Sequence, residues 1–499
     1  MLPEYVRKNV LSIDQAVKIV EDLLFATSNR LYDLKIPSKP LNPAPALAYA
    51  AITSEKSDFN ILSSFLEEHP TTKFLRIQYL DYTATPRLRV VPIKRALSIL
   101  QKQPHISVGI TKASLGLLQN DTIIPGVTAT GEYRMEAIFQ SLRDGPTQHY
   151  ATLQAEFRDD NNSEAELCPR SVLRRTLEKA KYLDLEFLVG FEIEIVFMSY
   201  FPDNDGTRAG YRPNPQSGGH AWNSAKALQG NEKLLTHICD ALENAGIHLE
   251  QWHPEGATGQ FEFVLPPSTT LEAVDTLLQA REIISAVVAS YGMRATLYPK
   301  PSPMQCGTAS HVHISIQSPN GKRKEVYESF YAGILKHLRA IIAFTYSNIA
   351  SYERVADGCW AGGRWVTWGS QNRETPLRKV DDSHWEIKCL DGLANVYLAM
   401  AALIAAGVNG VFEKQALTWG DCLKDPAELS LQERKQLGIE ERLPADLNEA
   451  LDALKSDTLL RSVLGEGVVE RYCAVKIAEG KMLDGMQADE RREWLIERY

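Results

Sequence analysis

Two glutamates alternate with apolar residues in the segment FLVGFEIEIVFM, which covers residues 187–198. Alternation predicts a β-strand, in which residues i and i+2 share a face, so Glu192 and Glu194 point the same way while Ile193 and Ile195 point the other way. Two like charges side by side in an apolar strand are unfavourable unless a cation neutralises them. The segment predicts either a cation site or an edge strand with a solvated acidic face, and alone it does not decide between them.

Three later segments carry more residue types that bind metals. The segment WHPEGATGQFEFV places Glu255 in a glycine-containing loop and Glu262 on a strand, although alone it also fits a charged loop and an exposed strand residue. His311 and His313 are i and i+2 on another predicted strand, a pattern that suits metal or phosphate binding as well as packed histidines. Glu386 lies on a further predicted strand, just before a long apolar helix that we assign to the core.

A loop rich in glycine and tryptophan carries four arginines, namely Arg354, Arg364, Arg373 and Arg378. Guanidinium groups bind carboxylates and phosphates with two parallel hydrogen bonds, and binding residues are often carried on loops. A basic, solvated loop is the alternative. The combination of glycine and arginine favours a binding function.

Composition limits the classes of partner. The chain has 54 Lys and Arg against 63 Asp and Glu, a net charge of −9, which argues against nucleic acid or an anionic membrane as its main partner. Its seven cysteines form no C-x-x-C pair, so neither a disulfide framework nor a cysteine zinc site is expected. Apolar runs are too short to span a bilayer. We therefore expect a cytoplasmic protein.

The chain divides into three regions. Residues 1–70 have apolar residues at helical spacing and predict a helical N-terminal extension. Residues 71–165 read as a small α+β unit of strands, with the segment AIFQSLRDG predicted as a helix. The polar stretch DDNNSEAEL over 159–167 is the predicted linker, and residues 166–499 alternate strands with helices in a larger unit.

Six ordered signatures resemble those of the glutamine synthetase family. They are G-x-E-x-E at Gly190–Glu194, E-x-A-x-G-Q-x-E at Glu255–Glu262, K-P with G-x-x-x-H-x-H from Lys300 to His313, N-x-x-S-Y-x-R at Asn348–Arg354, N-R-x-x-x-x-R at Asn372–Arg378 and E-x-[RK]-x-x-D-x-x-x-N-x-Y-L at Glu386–Leu398. Each is weak alone, whereas the ordered set is specific. The segments ITKASLGLLQND and CPRSVLRR are most similar to the synthetase module of fungal FluG-type proteins.

The resemblance implies an α+β fold: a small β-grasp-like N-terminal domain, followed by a large antiparallel β-sheet catalytic domain with surrounding helices. It also implies two sets of ligands for Mg²⁺ or Mn²⁺. By match, Glu194, Glu255 and Glu262 bind one ion. The second ion falls to the remaining ligands, Glu192, His311 and Glu386.

The resemblance also assigns the other site residues. Arg373 and Arg378, together with Lys388, match catalytic positions that act on the phosphoryl group in transfer. Arg354 matches the clamp on the α-carboxylate of glutamate, and Gly307 matches the loop at its amino group. His313 and Ser315 match positions near the nucleotide phosphates.

Three positions depart from the family pattern. Ammonium-using members carry a glutamate where this chain has Trp360, and an aspartate where it has Thr111. An arginine two residues after the last metal ligand is replaced by Lys388, which cannot bind in a bidentate manner. Loss of two acids at the nitrogen-donor site removes charge and adds an apolar face suited to a larger amine or to cation–π contact.

These matches predict an ATP-dependent carboxylate–amine ligase that acts through an acyl phosphate, with ATP, glutamate and a small organic amine as substrates. The first alternative is an ammonium-using glutamine synthetase, and the second is a non-catalytic assembly protein on a synthetase fold. A kinase that stops at the phosphorylated product is a further reading. The family also implies a ring-forming homo-oligomer with shared active sites, in which Thr111 and Trp360 of one site come from different chains.

Overall fold

The computed structural model describes residues 57–202, 209–214 and 220–499. Residues Asp58–Tyr499 form one compact unit. Most of the predicted helical extension over residues 1–70 lies outside the described residues, and the part inside them contains helix α1, Asp58–Glu68. In the described part of the chain, no helix is long and apolar enough to cross a membrane.

The first sheet has five strands: β1, Phe74–Leu80; β2, Pro86–Pro92; β3, Ser107–Thr111; β4, Glu132–Asp144; and β5, Tyr150–Arg158. Their order is β2-β1-β5-β4-β3, with β1 and β5 parallel and the other neighbours antiparallel. Helix α2, Ile93–Leu100, follows β2 and buries Ile93, Ala96 and Leu100 along one face. This topology confirms the predicted β-grasp-like fold.

The helix predicted for AIFQSLRDG is wrong, because this segment lies in strand β4. Burial alternates along β4, with Tyr133, Met135, Ala137 and Phe139 all buried. The segment AIFQSLRDG begins only at Ala137, so it contains only the later part of this alternation. Pairing with both β3 and β5 fixes the strand, since tertiary context overrides a weak helical pattern.

The large sheet has ten described strands: β6, Phe187–Phe201; β7, Gly210–Pro213; β8, Gln251–Pro254; β9, Gln260–Val264; β10, Ser268–Thr269; β11, Arg294–Thr296; β12, Val312–Ile316; β13, Trp368–Ser370; β14, Leu377–Asp381; and β15, His384–Ile387. The main path is β13-β14-β15-β12-β6-β9-β8, and β7, β10 and β11 each pair with β6. Among these described strands, β13 and β14 alone run parallel. The predicted antiparallel sheet is therefore confirmed.

Helices surround this sheet, as predicted. They are α3, Pro169–Lys181; α4, Glu232–Asn244; α5, Thr270–Ser290; α6, Lys324–Thr345; α7, Val396–Phe412; α8, Leu431–Gln436; α9, Leu447–Ser456; α10, Thr458–Leu464; α11, Glu466–Asp484; and α12, Ala488–Arg498. Helices α6 and α7 pack so closely at Gly333 that a Cβ atom there would lie 2.3 Å from the carbonyl oxygen of Ala406. Glycine thus sets the approach of the two helix backbones.

One buried tyrosine ties the helical layer to the strands that carry the candidate site. Tyr331 on α6 stacks on Trp385 of β15, with ring centroids 4.1 Å apart. Its hydroxyl donates to the carbonyl oxygen of Ile314 on β12 at 2.8 Å. His313 and Glu386 are the chain neighbours of these two anchored strand residues, so their backbones are held by the core.

Candidate functional site

Strand register brings residues that are distant in the chain onto one face of the large sheet. Glu194 on β6 is paired with Glu262 on β9. His313 on β12 is paired with Glu386 on β15, which is paired in turn with Arg378 on β14. Residues directly opposite on neighbouring strands have Cβ atoms roughly 5 Å apart, so the register forms two groups of side chains, one across β6 and β9 and the other across β12, β15 and β14. His313 is itself paired with Gly190 on β6, so Glu192 lies between the two groups on that strand.

A cavity of about 1120 Å³ opens over both groups of side chains. The predicted site residues that line it are Glu192, Glu194, Glu255, Glu262, Gly307, His311, His313, Ser315, Arg354, Trp360, Arg373, Arg378 and Lys388. Glu386 lies just beneath them, almost fully buried, with its Oε1 atom 3.4 Å from His311 Nδ1. Thirteen of the predicted residues therefore share one cavity, and Glu386 lies directly against it.

Glu192 lies between the two histidines. Its Oε2 atom is 2.9 Å from His311 Nδ1, and its Oε1 atom is 3.1 Å from His313 Nε2. Burial raises the pKa of Glu192, but hydrogen bonds and charge from His311 and His313 outweigh burial, and the pKa falls well below its ordinary value. Glu192 is thus held as a carboxylate at the centre of the site.

The neighbouring glutamates carry charge that the protein leaves without enough compensation. Burial, together with the carboxylates of Glu192, Glu194, Glu255 and Glu386, raises the pKa of Glu262 to about 10. Burial likewise raises the pKa of Glu194. Like charges at this spacing are held together by protons or by a bound cation. The donor set therefore fits a divalent cation.

Ligand atoms converge in three groups, each with atoms within 4.8 Å of one another: Glu192, Glu262 and His311; Glu192, His313 and Glu386; and His253, Glu255 and Glu262. Carboxylate-rich sets of this kind suit Mg²⁺ or Mn²⁺. Proximity groups Glu262 with Glu192 and His311, and not with Glu194. The predicted division into two sets stays a prediction.

Glu194 is fixed by neutral donors. Its Oε2 atom accepts hydrogen bonds from Gln260 Nε2 and from the backbone N–H of Ala309, both at 2.9 Å. Gln260 also donates to the carbonyl oxygen of Gly307 at 3.0 Å. These bonds orient one carboxylate oxygen and link the metal cluster to the loop that contains Gly307.

Three residues that line the cavity were not predicted as site residues from the sequence. His253 lies 3.2 Å from Glu255, measured from Nε2 to Oε1, and His384 Nε2 lies 2.8 Å from His313 Nδ1. Trp222 donates from Nε1 to Glu255 Oε1 at 3.1 Å. His384 lies two residues before Glu386 on one strand, so the shared-face rule that found Glu192 and Glu194 would have found it. Trp222 has no comparable signal in the sequence.

Two cations neutralise Glu386. Arg378 Nε lies 2.7 Å from Glu386 Oε2, and Lys388 Nζ lies 3.3 Å from Oε1. Burial raises the pKa of Glu386, but the charges of Lys388 and His311 outweigh it, so the pKa is lowered. Lys388 also donates to His311 Nε2 at 3.4 Å. The lysine therefore places a point charge beside the cluster.

Arg354 lines the cavity with a buried guanidinium group. Its NH2 group donates to the carbonyl oxygen of Lys388 at 3.2 Å, whereas its buried Nε–H has no hydrogen-bond partner among the described residues. A Cβ atom at Gly307 would lie 2.7 Å from Arg354 Cβ, so glycine lets this loop approach the arginine. The pair can receive a small carboxylate.

Trp360 stands at the edge of the cavity with 58% of its surface exposed. Its ring contacts Trp222 edge to face, with centroids 5.8 Å apart. Its backbone has a φ of +58° and its N–H donates to Glu374 Oε1 at 2.8 Å. A left-handed conformation is rare for a bulky residue, so the contact with Glu374 helps to hold the indole in place.

Thr111 lies away from this cavity. It is the last residue of β3, and its hydroxyl accepts a hydrogen bond from the N–H of Ala113 at 3.3 Å. A short 3₁₀ helix, Lys112–Gly116, follows it. The contribution of Thr111 to the site of a neighbouring chain stays a prediction.

We expect the metal-free protein to lose stability as the pH rises. The pKa of Glu262 is raised from 4.5 to about 10 on folding, so its contribution is fully present below the unfolded value and is lost as the pH approaches the folded value. Mg²⁺ binds the deprotonated cluster, so the increase in unfolding temperature that it causes should grow between about pH 6 and about pH 9. Calorimetry with and without Mg²⁺ measures this; a pH-independent increase would contradict it.

Comparison with known proteins identifies the family. Residues 166–499 match the family described as "Glutamine synthetase, catalytic domain". The chain is 43% identical to Protein fluG of Emericella nidulans, over 99% of this chain and 56% of that protein. It is 31% identical to Gamma-glutamylpolyamine synthetase GlnA3 of Streptomyces coelicolor, over 64% of this chain and 71% of that protein.

A solved structure shows the same fold. The structure "GmaS/ADP complex-Conformation 1" superposes with a TM-score of 0.74 at 22% identity, covering 87% of this chain and 99% of that chain. The present chain spans only 56% of the length of the fluG protein that it matches. The family match over residues 166–499 and the shared fold lead to one conclusion: the chain belongs to the glutamine synthetase family.

Proposed function

We propose that the chain is an ATP- and Mg²⁺-dependent ligase that joins glutamate to an organic amine through a γ-glutamyl phosphate. One observation carries the proposal: a buried cluster of glutamates, in which burial and like charges raise the pKa of Glu262 to about 10, lies at the floor of a cavity that Arg354, Arg373 and Arg378 also line. Such a cluster suits divalent cations, and the arginines suit the anionic groups of ATP and of an acid substrate.

Glu192, Glu262 and His311 would hold one divalent ion, and the cluster of His253, Glu255 and Glu262 offers a second position. A bound Mg²⁺ supplies electrostatic stabilisation of the phosphoryl group in transfer. The carboxylates themselves keep the ligand oxygens together without reorganisation, because the sheet fixes their backbones.

The proposed reaction gives each of these side chains a role. Arg354 orients the acid so that its distal carboxylate attacks the γ-phosphorus of ATP, which forms an acyl phosphate and releases ADP. Arg373 and Arg378 stabilise the charge on the phosphoryl oxygens during transfer, and His313 and Ser315 face the nucleotide phosphates. The amine then attacks the acyl carbon, phosphate leaves, and an amide forms after loss of a proton.

The nitrogen-donor end of the cavity favours an organic amine. Trp360 replaces the acid expected in ammonium-using members, and the second indole of Trp222 lies edge to face against it. Trp222 also donates to Glu255, so the aromatic pair adjoins a metal-cluster carboxylate. Two exposed indoles beside a carboxylate suit an ammonium group attached to an apolar body, through cation–π contact and burial of alkyl groups.

A relative's name is consistent with this choice. The similar protein of Streptomyces coelicolor is called Gamma-glutamylpolyamine synthetase, so an organic amine is the acceptor named for that relative. At 31% identity the name supports an organic amine here as a class. We extend it to this chain because both acids of the ammonium site, at Trp360 and Thr111, are replaced.

One observation favours an ammonium-using enzyme as the alternative. Glu374 accepts the N–H of Trp360, and its second carboxylate oxygen is buried without a hydrogen-bond partner in the described structure. Burial raises the pKa of Glu374, as expected for a carboxylate poised to gain a charge partner. If the loop of Trp360 moved, Glu374 would be an adjacent acid able to replace the missing glutamate.

Restoring the acid should change the acceptor. We expect Trp360→Glu to lower the ratio of kcat/KM for alkylamines and polyamines to kcat/KM for ammonium by at least about tenfold, because a carboxylate binds and deprotonates ammonium. A phosphate-release assay with glutamate and a panel of amines measures the ratio.

The control is Trp360→Phe, which keeps an aromatic face and should preserve the order of acceptors. Ammonium as the best acceptor of the native protein would overturn the organic-amine assignment and support the role of Glu374. Absence of Mg²⁺-dependent ATP turnover with every amine would instead favour the non-catalytic assembly protein.

We further propose that the active protein is a ring-forming homo-oligomer. Thr111 lies outside the cavity of its own chain, at the end of β3, where an exposed edge of the small sheet is available to a neighbour. A neighbouring small domain that covers the cavity would exclude water from the acyl phosphate, which otherwise hydrolyses.

A further inference from the structure

A second cavity, of about 350 Å³, lies between the small sheet and the catalytic part of the chain. Its walls come from β1 and the turn after it, from α5, from the segment before α7, and from the last two residues of the chain. None of its lining residues lines the larger cavity over the carboxylate cluster. The mechanism described above therefore makes no use of it.

An arginine in this wall lacks a full set of partners. Arg281 on α5 is 8% exposed, and its Nε–H is buried without a hydrogen-bond partner among the described residues. No carboxylate in the described structure lies within 4.0 Å of its guanidinium group, and the more distant charge of Asp391 gives only partial compensation. A buried, unpaired cation is costly, so this group is ready to receive an anion.

Two more guanidinium groups line the same cavity. Arg76 is paired with Glu282, with NH1 at 3.1 Å from Oε2. Arg498 stacks on Trp494, with its Cζ atom 3.1 Å from the ring centroid, and approaches Glu497 only to 3.7 Å. The side chains of the cavity wall thus carry three positive charges and one negative charge.

The remainder of the wall is apolar. Leu80, Leu278 and Leu297 line it, together with Ala84 and Ala286. A hydrated inorganic anion would leave these surfaces in contact with water. An anion that carries a small hydrocarbon group would satisfy Arg281 and cover the leucines at the same time.

Hydrogen bonds connect this cavity to the metal cluster. Arg281 NH2 donates to Ser310 Oγ at 2.7 Å, and Ser310 Oγ donates in turn to the carbonyl oxygen of Glu192 at 3.3 Å. Ser310 immediately precedes His311, whose carbonyl oxygen accepts the N–H of Glu192 at 3.0 Å. A ligand that changes the position of Arg281 therefore acts on the backbones of two metal ligands.

We propose that this cavity is an effector site for a small organic carboxylate with an apolar group, bound through Arg281. The carboxylate pairs with the charge of the Arg281 guanidinium group and takes additional charge from Arg498, while its hydrocarbon part lies against the leucines. Because Arg281 also holds Ser310, occupancy of the site changes the affinity of the carboxylate cluster for Mg²⁺.

Isothermal titration calorimetry of the full chain with benzoate tests the site. We expect one benzoate per chain, and we expect Arg281→Met and Ala286→Phe each to weaken binding by at least about tenfold, by loss of the charge or of the space. Arg354→Leu, at the larger cavity, is the matched control and should leave benzoate affinity within about twofold. Inorganic phosphate should bind more weakly than benzoate.

The coupling is measured by titrating Mg²⁺ with and without saturating benzoate. A shift of at least about threefold in the Mg²⁺ dissociation constant is expected for the native chain and none for Ala286→Phe. The proposed site would be overturned if Arg354→Leu abolished benzoate binding, or if neither Arg281→Met nor Ala286→Phe weakened it. The proposed ligand class would be overturned if phosphate bound more tightly than benzoate. An unchanged Mg²⁺ affinity would overturn the coupling. These measurements do not depend on ligase activity, so the effector site can be tested independently of the proposed function.

Discussion

Replacing Glu262 by glutamine should lower Mg²⁺-dependent ATP turnover by a factor on the order of 10³, or about 4 kcal/mol of transition-state stabilisation. Glu262 belongs to two of the three groups of converging ligand atoms, so its loss weakens two metal positions at once. Glutamine has nearly the same shape but only one carbonyl oxygen and no charge, which makes it a poor ligand for Mg²⁺. Steady-state turnover at saturating Mg²⁺ and ATP measures the effect.

The same substitution should stabilise the metal-free protein. Burial and repulsion from neighbouring carboxylates raise the pKa of Glu262 to about 10, so at pH 8 folding requires this side chain to take up a proton, and glutamine removes that cost. We expect the free energy of unfolding without metal to rise by about 1–3 kcal/mol at pH 8, measured by urea denaturation. A loss of activity with a gain of stability is typical of a residue placed for function.

Glu250→Gln is the matched control for this variant. Glu250 lines the same cavity but is exposed and stands outside all three ligand groups. Its replacement should change turnover by less than about twofold and leave stability unaltered. Equal effects of the two substitutions, or normal turnover by Glu262→Gln, would exclude the cluster as the metal site.

Replacing Arg354 by leucine should raise the KM for the acid substrate by about 10²–10³ while leaving the affinity for ATP within about threefold. The side chain is buried and lines the cavity, and we propose that it binds the carboxylate of the acid substrate. Removing one partner of a buried charge pair costs about 2–5 kcal/mol, since the remaining charge is left without compensation. Initial rates over a range of glutamate concentrations and nucleotide titration measure the two quantities.

Arg364→Leu is the control, because Arg364 lies in the same arginine-rich loop but is exposed and donates only to the carbonyl oxygen of Val355. It should leave both quantities near their native values. The unfolding temperature of each variant shows whether a loss reflects binding or folding. An unchanged KM in a folded Arg354→Leu protein would remove Arg354 from the acid site.

Most of the large sheet could be predicted from residue patterns. The strand over 187–198 and the long apolar helix after Glu386 are observed as β6, Phe187–Phe201, and α7, Val396–Phe412. Residue type was sufficient there, because both elements are largely apolar and buried on nearly all sides. It failed at β4, where the strand is defined by two neighbouring strands that no local pattern reveals.

The candidate site was predictable where a residue belongs to an ordered motif. Glu192, Glu194, Glu262 and His311 lie together as the motifs implied. Trp222 was missed because its contacts with Trp360 and Glu255 join segments that are distant in the chain. The motifs do not give the distances between side chains, so they do not show which ligands would share an ion.

The sequence by itself determined the chemistry of this protein: the residue types that bind metal and phosphate, their order, and the loss of acids at Trp360 and Thr111. Only the tertiary structure decided how these groups act on one another. Strand register places Glu194 opposite Glu262, burial raises the pKa of both carboxylates, and the charge of Glu194 raises the pKa of Glu262 further. Packing likewise leaves Arg281 unpaired beside a second cavity. Distance and burial set the strength of charge interactions, and both are properties of the folded chain.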